Sequence, residues 1–490
     1  MEKYKKYYPV IGLEIHAELK TNTKMFCSCK NDPDEENPNV NICPVCMAHP
    51  GALPVINKKA VENVIKVGLA VGGTIADFTE FDRKNYFYPD IPKGFQTSQY
   101  KYPIVSGGHL AGFDITRVHL EEDTANNKHF GEGAEGYSLI DFNRSGVPLM
   151  ELVTEARVFD SAEDASKNTS AFAKEFQFVL WYLGVSEANM EKGEMRVEAN
   201  ISITDDPKKF GTKVEVKNLN SFKSVEKAIK YELDRMRELL EEGKGTEIVQ
   251  ETRGWDESKQ KTFSQRKKEG SADYRYFPEP DLPKMKLHEA FDLEKMKGEL
   301  PELPFQRRER FFNYGIKKED IEVLIADDKL CLEFEATLSC FDELFDKKEN
   351  SYNPKYAIAI ANFVLSDLQA ILKKEPNHSL PLATDFAILV RMFVDGKISS
   401  RVAKDLIPRL VYDRIDIKEV LEKENLIQNS DESSIKILVE KAITENPDVV
   451  AVYKSGKENA IMSLVGKIIK ESNGSANPKM VIEMLKKVLS

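Results

Sequence analysis

Four cysteines lie in one short loop, residues 25–46, although the chain of 490 residues has only six. Cys27 and Cys29 form a C-x-C pair, and Cys43 and Cys46 form a C-x-x-C pair thirteen residues later. Four thiolates at this spacing match a closed tetrahedral zinc site, which leaves no open position for a substrate. We therefore predict a structural zinc ion. A redox-active cluster and four reduced structural cysteines are the alternatives.

The expected cellular compartment favours metal binding by these cysteines over disulfide bonds. The N-terminal segment MEKYKKYYPVIGLEIHAELK lacks the apolar core of a signal peptide, and no stretch approaches the roughly 20 apolar residues of a membrane span. We expect a cytoplasmic protein without a membrane partner. In that compartment disulfides do not persist, and clustered cysteines more often bind metal.

Acidic side chains alternate with apolar ones in several strand-like segments. In VIGLEIHAEL, Glu14 and His16 share one face, while Ile11, Leu13 and Ile15 share the other. The segments MRVEANISI, TKVEVKN and RVHLEED show the same alternation. The polar face then carries Glu14, His16, Glu18, His119, Glu121, Glu198, Asn200, Glu215 and Lys217. Carboxylates that converge with a histidine and an asparagine suit Mg²⁺ with bound phosphate, whereas an ordinary solvated sheet face is the alternative.

Two further segments can bind anions. Lys217 precedes a helix with Asn220 or Ser221 as its candidate N-cap, and a helix N-terminus favours phosphate. The aromatic-rich segment FDRKNYFYPDIPKGFQTSQY, residues 81–100, places Lys84 and Lys93 in an irregular loop. This loop either covers a bound anion or packs only on its own aromatic side chains. No GxxxxGK[ST] or GxSxG pattern occurs, so the P-loop and the hydrolase elbow are excluded.

The elements that must position these residues divide the chain into three parts. Residues 1–295 read as a β-rich domain interrupted by two helices, 296–410 as a helical domain, and 411–490 as a small helical tail. The fold class is therefore α+β, with a mixed or antiparallel sheet. The net charge of −11 argues against a protein that coats nucleic acid.

The net charge of the tail changes sign along its length. Residues 411–450 carry five basic and ten acidic side chains, whereas 451–490 carry seven lysines and three glutamates. This basic end predicts tRNA contacts, with ordinary solvated lysines as the alternative. The lysines that we assign to these contacts are Lys454, Lys457, Lys467 and Lys470.

Several long motifs occur in a fixed order and carry a resemblance. They are GLEIHAELKT, FDRKNYFYPDIPKGFQ, HLEEDTAN, LIDFNRSGVPLMELVTE, VEANIS, KVEVKNLNSF and DYRYFPEPDLP, followed by SSRVAKDL and SLVGKIIKESNGSANPKMV. Together they resemble the GatB family, the GatB subunits of the aspartyl/glutamyl-tRNA(Asn/Gln) amidotransferases.

The resemblance implies a mechanism. The family uses ATP and Mg²⁺ to phosphorylate the side-chain carboxylate of Glu or Asp misacylated onto tRNA, and ammonia then displaces the phosphate. The ammonia comes from a separate amidase subunit, while a small third subunit completes the heterotrimer. The motifs also assign the site residues. Magnesium is assigned to Glu14, His16, Glu122 and Glu215, further catalytic roles to Glu198, Asn200 and Lys217, and ATP contacts to Lys84, Asn85 and Asn218. The motif favours Glu122, whereas strand alternation favours Glu121. A zinc-stabilised RNA-binding module without chemistry of its own is the alternative function.

Overall fold

The computed structural model describes residues 7–131, 136–267, 274–344, 354–427, 432–472, 476 and 478–489. The chain forms two compact units, residues 1–304 and 305–490. The predicted boundary at residue 295 lies inside a helix of the first unit.

The first unit is β-rich, and its described strands occur in this order: β1 Tyr8–Glu18, β2 Thr74–Ile75, β3 Phe78–Thr79, β4 Asp82–Asn85, β5 Phe95–Ser98, β6 Val105–Ser106, β7 His109–Leu110, β8 Phe113–Glu122, β9 Asn126–Phe130, β10 Tyr137–Asp141, β11 Pro148–Thr154, β12 Arg157–Val158, β13 Met195–Thr204, β14 Val214–Leu219, β15 Glu251–Asp256, β16 Lys261–Lys267, β17 Phe277–Pro278 and β18 Met285–Lys286. Its α-helices are α1 Lys58–Ala70, α2 Ala162–Tyr182, α3 Phe222–Glu241, α4 Leu287–Ala290 and α5 Leu293–Gly298.

Eleven of these strands form one large sheet with β1 near its centre. Its main path runs β16–β15–β14–β13–β1–β11–β8–β6–β2, while β12 pairs with β1 and β7 with β8. The pairings between described strands are antiparallel except that of β14 with β15, which is parallel. The sheet is therefore mixed, as the fold class predicted.

Helices cover the apolar face of this sheet. Ile11, Leu13 and Ile15 of β1 are at most 1 % exposed and lie in one core cluster with Val61 of α1 and Phe172 of α2. The alternation in β1 thus separates a buried apolar face from a polar one. The polar face is left for the site.

The second unit is helical. Its described α-helices are α6 Pro304–Asn313, α7 Lys318–Ala326, α8 Asp328–Leu344, α9 Pro354–Phe363, α10 Gln369–Lys374, α11 Ala383–Val394, α12 Ser400–Tyr412, α13 Ile417–Lys423, α14 Glu432–Glu445, α15 Pro447–Lys454, α16 Ile461–Glu471 and α17 Pro478–Leu489. The predicted boundary at 410 falls inside α12, and α13 contacts α11. Helices α14, α16 and α17 bury an apolar cluster of their own.

One helical stretch qualifies the expectation that no segment is long and apolar enough to cross a membrane. α9, the π-helical turn Val364–Leu368 and α10 form a continuous stretch, Pro354–Lys374, whose length and hydropathy would suffice for a span. Of its most apolar window, 39 % is buried inside the protein. Core helices of soluble proteins have the same length and hydropathy, so one such helix is weak evidence for a span.

Candidate active site

The central strands bring the predicted acidic side chains together. In the antiparallel pairing of β1 with β13, Glu14 lies opposite Glu198 and Gly12 lies opposite Asn200. Asn200 lies in turn opposite Glu215 of β14. Directly opposite residues project from the same face of a sheet, so residues far apart in sequence converge there.

Glu14, Glu198 and Glu215 form the first acidic group. Each offers a carboxylate oxygen, and these three atoms lie within 4.8 Å of one another. Asn200 donates from Nδ2 to Glu14 Oε1 over 2.8 Å, and Lys217 Nζ lies 2.7 Å from Glu198 Oε2 and 3.2 Å from Glu215 Oε1. Burial alone would lower the pKa of Lys217, but the two carboxylates raise it above its ordinary value, so the side chain stays cationic.

His16, Glu121 and Glu151 form the second acidic group, and they also offer ligand atoms within 4.8 Å of one another. His16 Nε2 lies 3.5 Å from Glu151 Oε2 and 3.6 Å from Glu121 Oε1. Burial opposes its charged form, but Glu151 and then Glu121 raise the pKa of His16 to about 9. The imidazole is thus protonated at neutral pH without a metal ion, and it must lose that proton to bind one.

The structure separates Glu122 from these groups and places Glu121 among them. Glu122 lies in another cavity, of about 220 Å³, that Cys27 and Cys46 also line. There its carboxylate forms an ion pair with Lys93 and accepts a hydrogen bond of 2.8 Å from the backbone N–H of Thr97. Successive residues of β8 point to opposite faces of the sheet, so the placement follows strand alternation rather than the motif assignment.

Of the three predicted ATP contacts, only Lys84 lines the cavity that holds both acidic groups. The carboxylates of Glu121 and Glu151 raise the pKa of Lys84 above its ordinary value, against the effect of burial. Asn85 instead donates from Nδ2 to the backbone carbonyls of Tyr274 and Arg275, over 3.1 and 2.8 Å. It therefore holds a neighbouring segment rather than facing the cavity.

Asn218 is exposed and forms part of a β-bulge. Its φ is +64°, a left-handed conformation that asparagine tolerates better than most residues, and the pairing of β13 with β14 shifts register here. The extra residue returns Leu219 to the core after Lys217 has faced the site.

The same turn moves the predicted phosphate seat away from the carboxylates. Ser221 does cap α3, as its Oγ accepts the backbone N–H of Ser224 over 3.0 Å. However, Asn220 and Ser221 line a different cavity from the one that contains Lys217. The helix N-terminus and the acidic groups are therefore not brought together.

The carboxylate cavity, as we name the space between the two acidic groups, has a volume of about 500 Å³. Seven carboxylates and five lysine or arginine side chains line it. An anionic substrate would meet net repulsion there without added cations. The two oxygen-rich groups fit divalent cations such as Mg²⁺, which would reverse that charge.

The cysteine loop fits a tetrahedral metal ion. One sulfur from each of Cys27, Cys29, Cys43 and Cys46 lies within 4.8 Å of the others, and all four are free thiols. The sulfurs of Cys43 and Cys46 are 3.8 Å apart, which equals the edge of a tetrahedron with Zn–S bonds of about 2.3 Å. The Cys27 thiol and then the Lys24 ammonium lower the pKa of Cys46, which favours a thiolate.

The four lysines assigned to tRNA contacts are all exposed. Lys454 ends α15, Lys457 follows it, and Lys467 and Lys470 lie on α16. Lys467 also donates a hydrogen bond to the side chain of Asn446. Their contact with tRNA stays a prediction.

Comparison with known proteins decides the family. Residues 9–292 match the family model described as the GatB/GatE catalytic domain, and residues 341–489 match that of the GatB domain. The chain belongs to the GatB family.

Three similar relatives, each a B subunit of an amidotransferase by name, match this chain over nearly its whole length. The relative from the aspartyl/glutamyl-tRNA(Asn/Gln) amidotransferase of Dehalococcoides mccartyi is 42 % identical over 501 residues, covering 99 % of both chains. The relative from the same kind of enzyme in Picosynechococcus sp. is 40 % identical over 502 residues, covering 98 % of this chain and 97 % of the relative. The relative from the chloroplastic/mitochondrial glutamyl-tRNA(Gln) amidotransferase of Oryza sativa is 39 % identical over 500 residues, covering 99 % and 88 %.

The fold also places in the cavity residues that the sequence analysis did not assign to the site. Glu151 of β11 lies opposite His119 of β8 and His16 of β1, and its Oε2 is 3.1 Å from His119 Nε2. The two histidines hold the pKa of Glu151 well below its ordinary value, although burial opposes this. Arg196 pairs with Asp123 at the edge of the same cavity. In the sequence, Glu151 could have been noticed as the one charged residue in the mostly apolar strand PLMELVT.

Proposed function

We propose that this protein is the component of a tRNA-dependent amidotransferase that activates the side-chain carboxylate of Glu-tRNA(Gln), Asp-tRNA(Asn) or both, in the cytoplasm. The amidation of misacylated tRNA fits the names of its relatives, which are B subunits of such enzymes. The observation that carries the proposal is the pair of acidic groups beside Lys84 and Lys217 in one cavity.

The chemistry requires this arrangement because both reactants are anions. A carboxylate is a poor electrophile, and phosphoryl transfer from ATP gives it a leaving group that ammonia can displace. When bound, Mg²⁺ would neutralise the ATP phosphates and polarise the transferred group. Glu14, Glu198 and Glu215 would hold one ion, and His16, Glu121 and Glu151 would hold a second.

The protein's own groups then position the reactants. Lys217 stays cationic between Glu198 and Glu215, and Lys84 stays cationic near Glu121 and Glu151. Each offers an N–H donor to a phosphate or carboxylate oxygen inside a partly enclosed site, where such interactions are stronger than in water. Asn200 holds Glu14 in place through its amide.

The proposed complex contains partners that supply what this chain lacks. No GxSxG-type nucleophile motif occurs in the sequence, so we assign the release of ammonia from glutamine to a separate amidase subunit. A small third subunit would complete the heterotrimer. The cysteine loop would bind a structural zinc ion, and the basic tail would bind tRNA away from its acceptor end.

The test uses the co-purified complex with ATP, Mg²⁺ and each misacylated tRNA. We expect ADP formation that depends on the misacylated tRNA, followed by release of phosphate and formation of Gln-tRNA or Asn-tRNA when glutamine or ammonium is added. The zinc-stabilised RNA-binding module without chemistry predicts tRNA binding and no ADP formation. It also leaves the two acidic groups without a role.

A further inference from the structure

Five tyrosines line one side of the carboxylate cavity, and we name them the tyrosine cluster: Tyr86, Tyr88, Tyr100, Tyr274 and Tyr276. Their rings form a continuous series of contacts. Tyr100 stacks on Tyr276 with centroids 4.4 Å apart and planes 9° apart. Tyr276, Tyr274, Tyr86 and Tyr88 follow as edge-to-face neighbours at 6.1, 5.9 and 6.1 Å.

Backbone pairing brings this cluster together from two distant segments. β17 pairs with β4, and β4 pairs with β5, in a small three-stranded sheet beside the cavity. The side-chain amide of Asn85 fixes the carbonyl of Tyr274, and the carboxylate of Asp82 accepts the backbone N–H of Tyr100 over 2.9 Å. The rings are therefore held in position before any ligand binds.

Two rings of the cluster remain largely exposed. Tyr100 is 60 % exposed and Tyr88 is 56 % exposed, although both have ring neighbours. Stacking on Tyr276 covers only one face of the Tyr100 ring. An aromatic face left open beside a polar cavity is an apolar surface that favours a flat partner.

The charges around the cluster indicate what that partner is. Lys84 lies over the Tyr86 and Tyr274 rings at 5.9 and 5.2 Å from their centroids, so these rings already have a cation beside them. The same ammonium lines the carboxylate cavity, where a phosphate would be bound. A ligand with an anionic group and a flat base matches both features.

We propose that Tyr100 forms a stacking site for the adenine base of a ligand whose reacting end lies in the carboxylate cavity. This inference rests on the proposed function, which supplies two adenosine ligands: ATP and the unpaired 3′-terminal adenosine of tRNA. Both present the same base. Single-stranded bases stack on aromatic side chains in proteins that bind RNA.

The test measures binding to the full complex with three variants. Tyr100→Ala removes the stacking ring, and Tyr100→Phe keeps the ring and removes the hydroxyl. Tyr137→Ala is the matched control, because Tyr137 is 59 % exposed and stacked on Phe130 at 5.5 Å but is not among the residues lining the cavity. Each is titrated with Mg-ATP, Mg-tripolyphosphate, an RNA minihelix ending in CCA and the same minihelix without its terminal adenosine.

We expect Tyr100→Ala to weaken binding of one adenosine ligand by about 5- to 150-fold, the range for loss of one base stack. Tyr100→Phe and Tyr137→Ala should stay within about twofold of the wild type. A loss for Mg-ATP but not for tripolyphosphate assigns the site to ATP. A loss for the CCA minihelix but not for the shortened one assigns it to tRNA.

Unchanged binding of both adenosine ligands would overturn the proposal, and the tyrosines would then serve only to pack against one another. An equal loss for tripolyphosphate would overturn it as well, because the variant would have damaged the cavity rather than a base contact. Failure of the proposed function is distinguishable. In that case the wild-type complex would form no ADP on misacylated tRNA, whereas these titrations do not depend on turnover.

Discussion

Two adjacent glutamates at the end of β8 provide a direct test of the site. Glu121→Gln should lower the rate of activation, whereas Glu122→Gln should lower the stability of the fold. Each substitution preserves side-chain size and removes one charge. Glu121 belongs to the second acidic group and lies 3.6 Å from His16, whereas Glu122 pairs with Lys93 in the smaller cavity. Because successive strand residues point to opposite faces, Glu121 is expected to affect activation and Glu122 to affect stability.

The structure gives the size of each effect. Glu121→Gln removes an anionic oxygen from a metal-binding group but keeps an acceptor for Ser98 Oγ, which lies 2.9 Å away. Loss of several kcal/mol of charge stabilisation lowers the rate of activation by at least about 100-fold. Folding should change less than in Glu122→Gln, because His16 keeps Glu151 as an ion-pair partner at 3.5 Å.

Glu122→Gln leaves Lys93 without its carboxylate. Breaking a buried ion pair costs about 3–5 kcal/mol, and about 2–3 kcal/mol is expected here because the Lys93 side chain is 19 % exposed. Thermal unfolding should shift down by roughly 5 °C or more. Activation in protein that remains folded should stay within about tenfold of the wild type.

The assay is single-turnover ADP formation at saturating misacylated tRNA and Mg²⁺, with thermal unfolding of the same samples. ADP is the product of the activation step, so this assay measures activation without ammonia delivery. Full activity of Glu121→Gln together with inactive, stable Glu122→Gln would refute the argument from strand alternation and restore the motif assignment.

Three further predictions concern other parts of the chain. Cys43→Ser should lower the zinc content from about one ion per chain and lower the unfolding temperature by several degrees, because metal binding is coupled to folding; metal analysis of anaerobically purified protein tests this, and zinc-free wild type would contradict it. Removal of residues 432–490 should weaken tRNA binding and reduce its dependence on salt concentration, while single-turnover amidation at saturating tRNA persists; unchanged affinity at two salt concentrations would assign the lysines to plain surface. Burial raises the pKa of Glu333 to about 7, so the folded state holds its proton more tightly than the unfolded state, and stability falls between about pH 4.5 and 7. Glu333→Gln should therefore stabilise the protein by about 2–3 kcal/mol above pH 7 and by nothing below about pH 4.5. The free energy of unfolding is measured for both proteins across this pH range, and a difference that does not change with pH would disprove the prediction.

Alternation of side chains predicted much of the site. Glu14, His16, Glu198, Glu215 and Lys217 meet as expected, because a strand with one apolar face leaves its other face for polar groups. The period-two pattern is local to each strand. It therefore identified these residues without any knowledge of which strands pair.

Other parts depend on tertiary structure. Glu151 went unnoticed because β11 is buried on both faces and shows no alternation. The motifs assigned an ATP contact to Asn218, but the β-bulge turns its side chain outward. A single residue in the left-handed conformation produces no periodic pattern in the sequence, so the bulge could not be predicted. Tyr274 reaches Tyr86 only through the pairing of β17 with β4, which no pattern within either segment reports.

The central position of β1 has a consequence for the order in which the protein folds. Its partners β11 and β13 lie more than a hundred residues later in the chain, so β1 leaves the ribosome long before either neighbour exists. At roughly 5–20 residues per second, the interval from β1 to β13 lasts about 10–40 s. Throughout that time at least one edge of β1 is unpaired, which exposes the strand to aggregation and to capture by chaperones. Neither acidic group is complete until distant strands have docked, so the nascent chain cannot hold a formed site before its sheet is assembled.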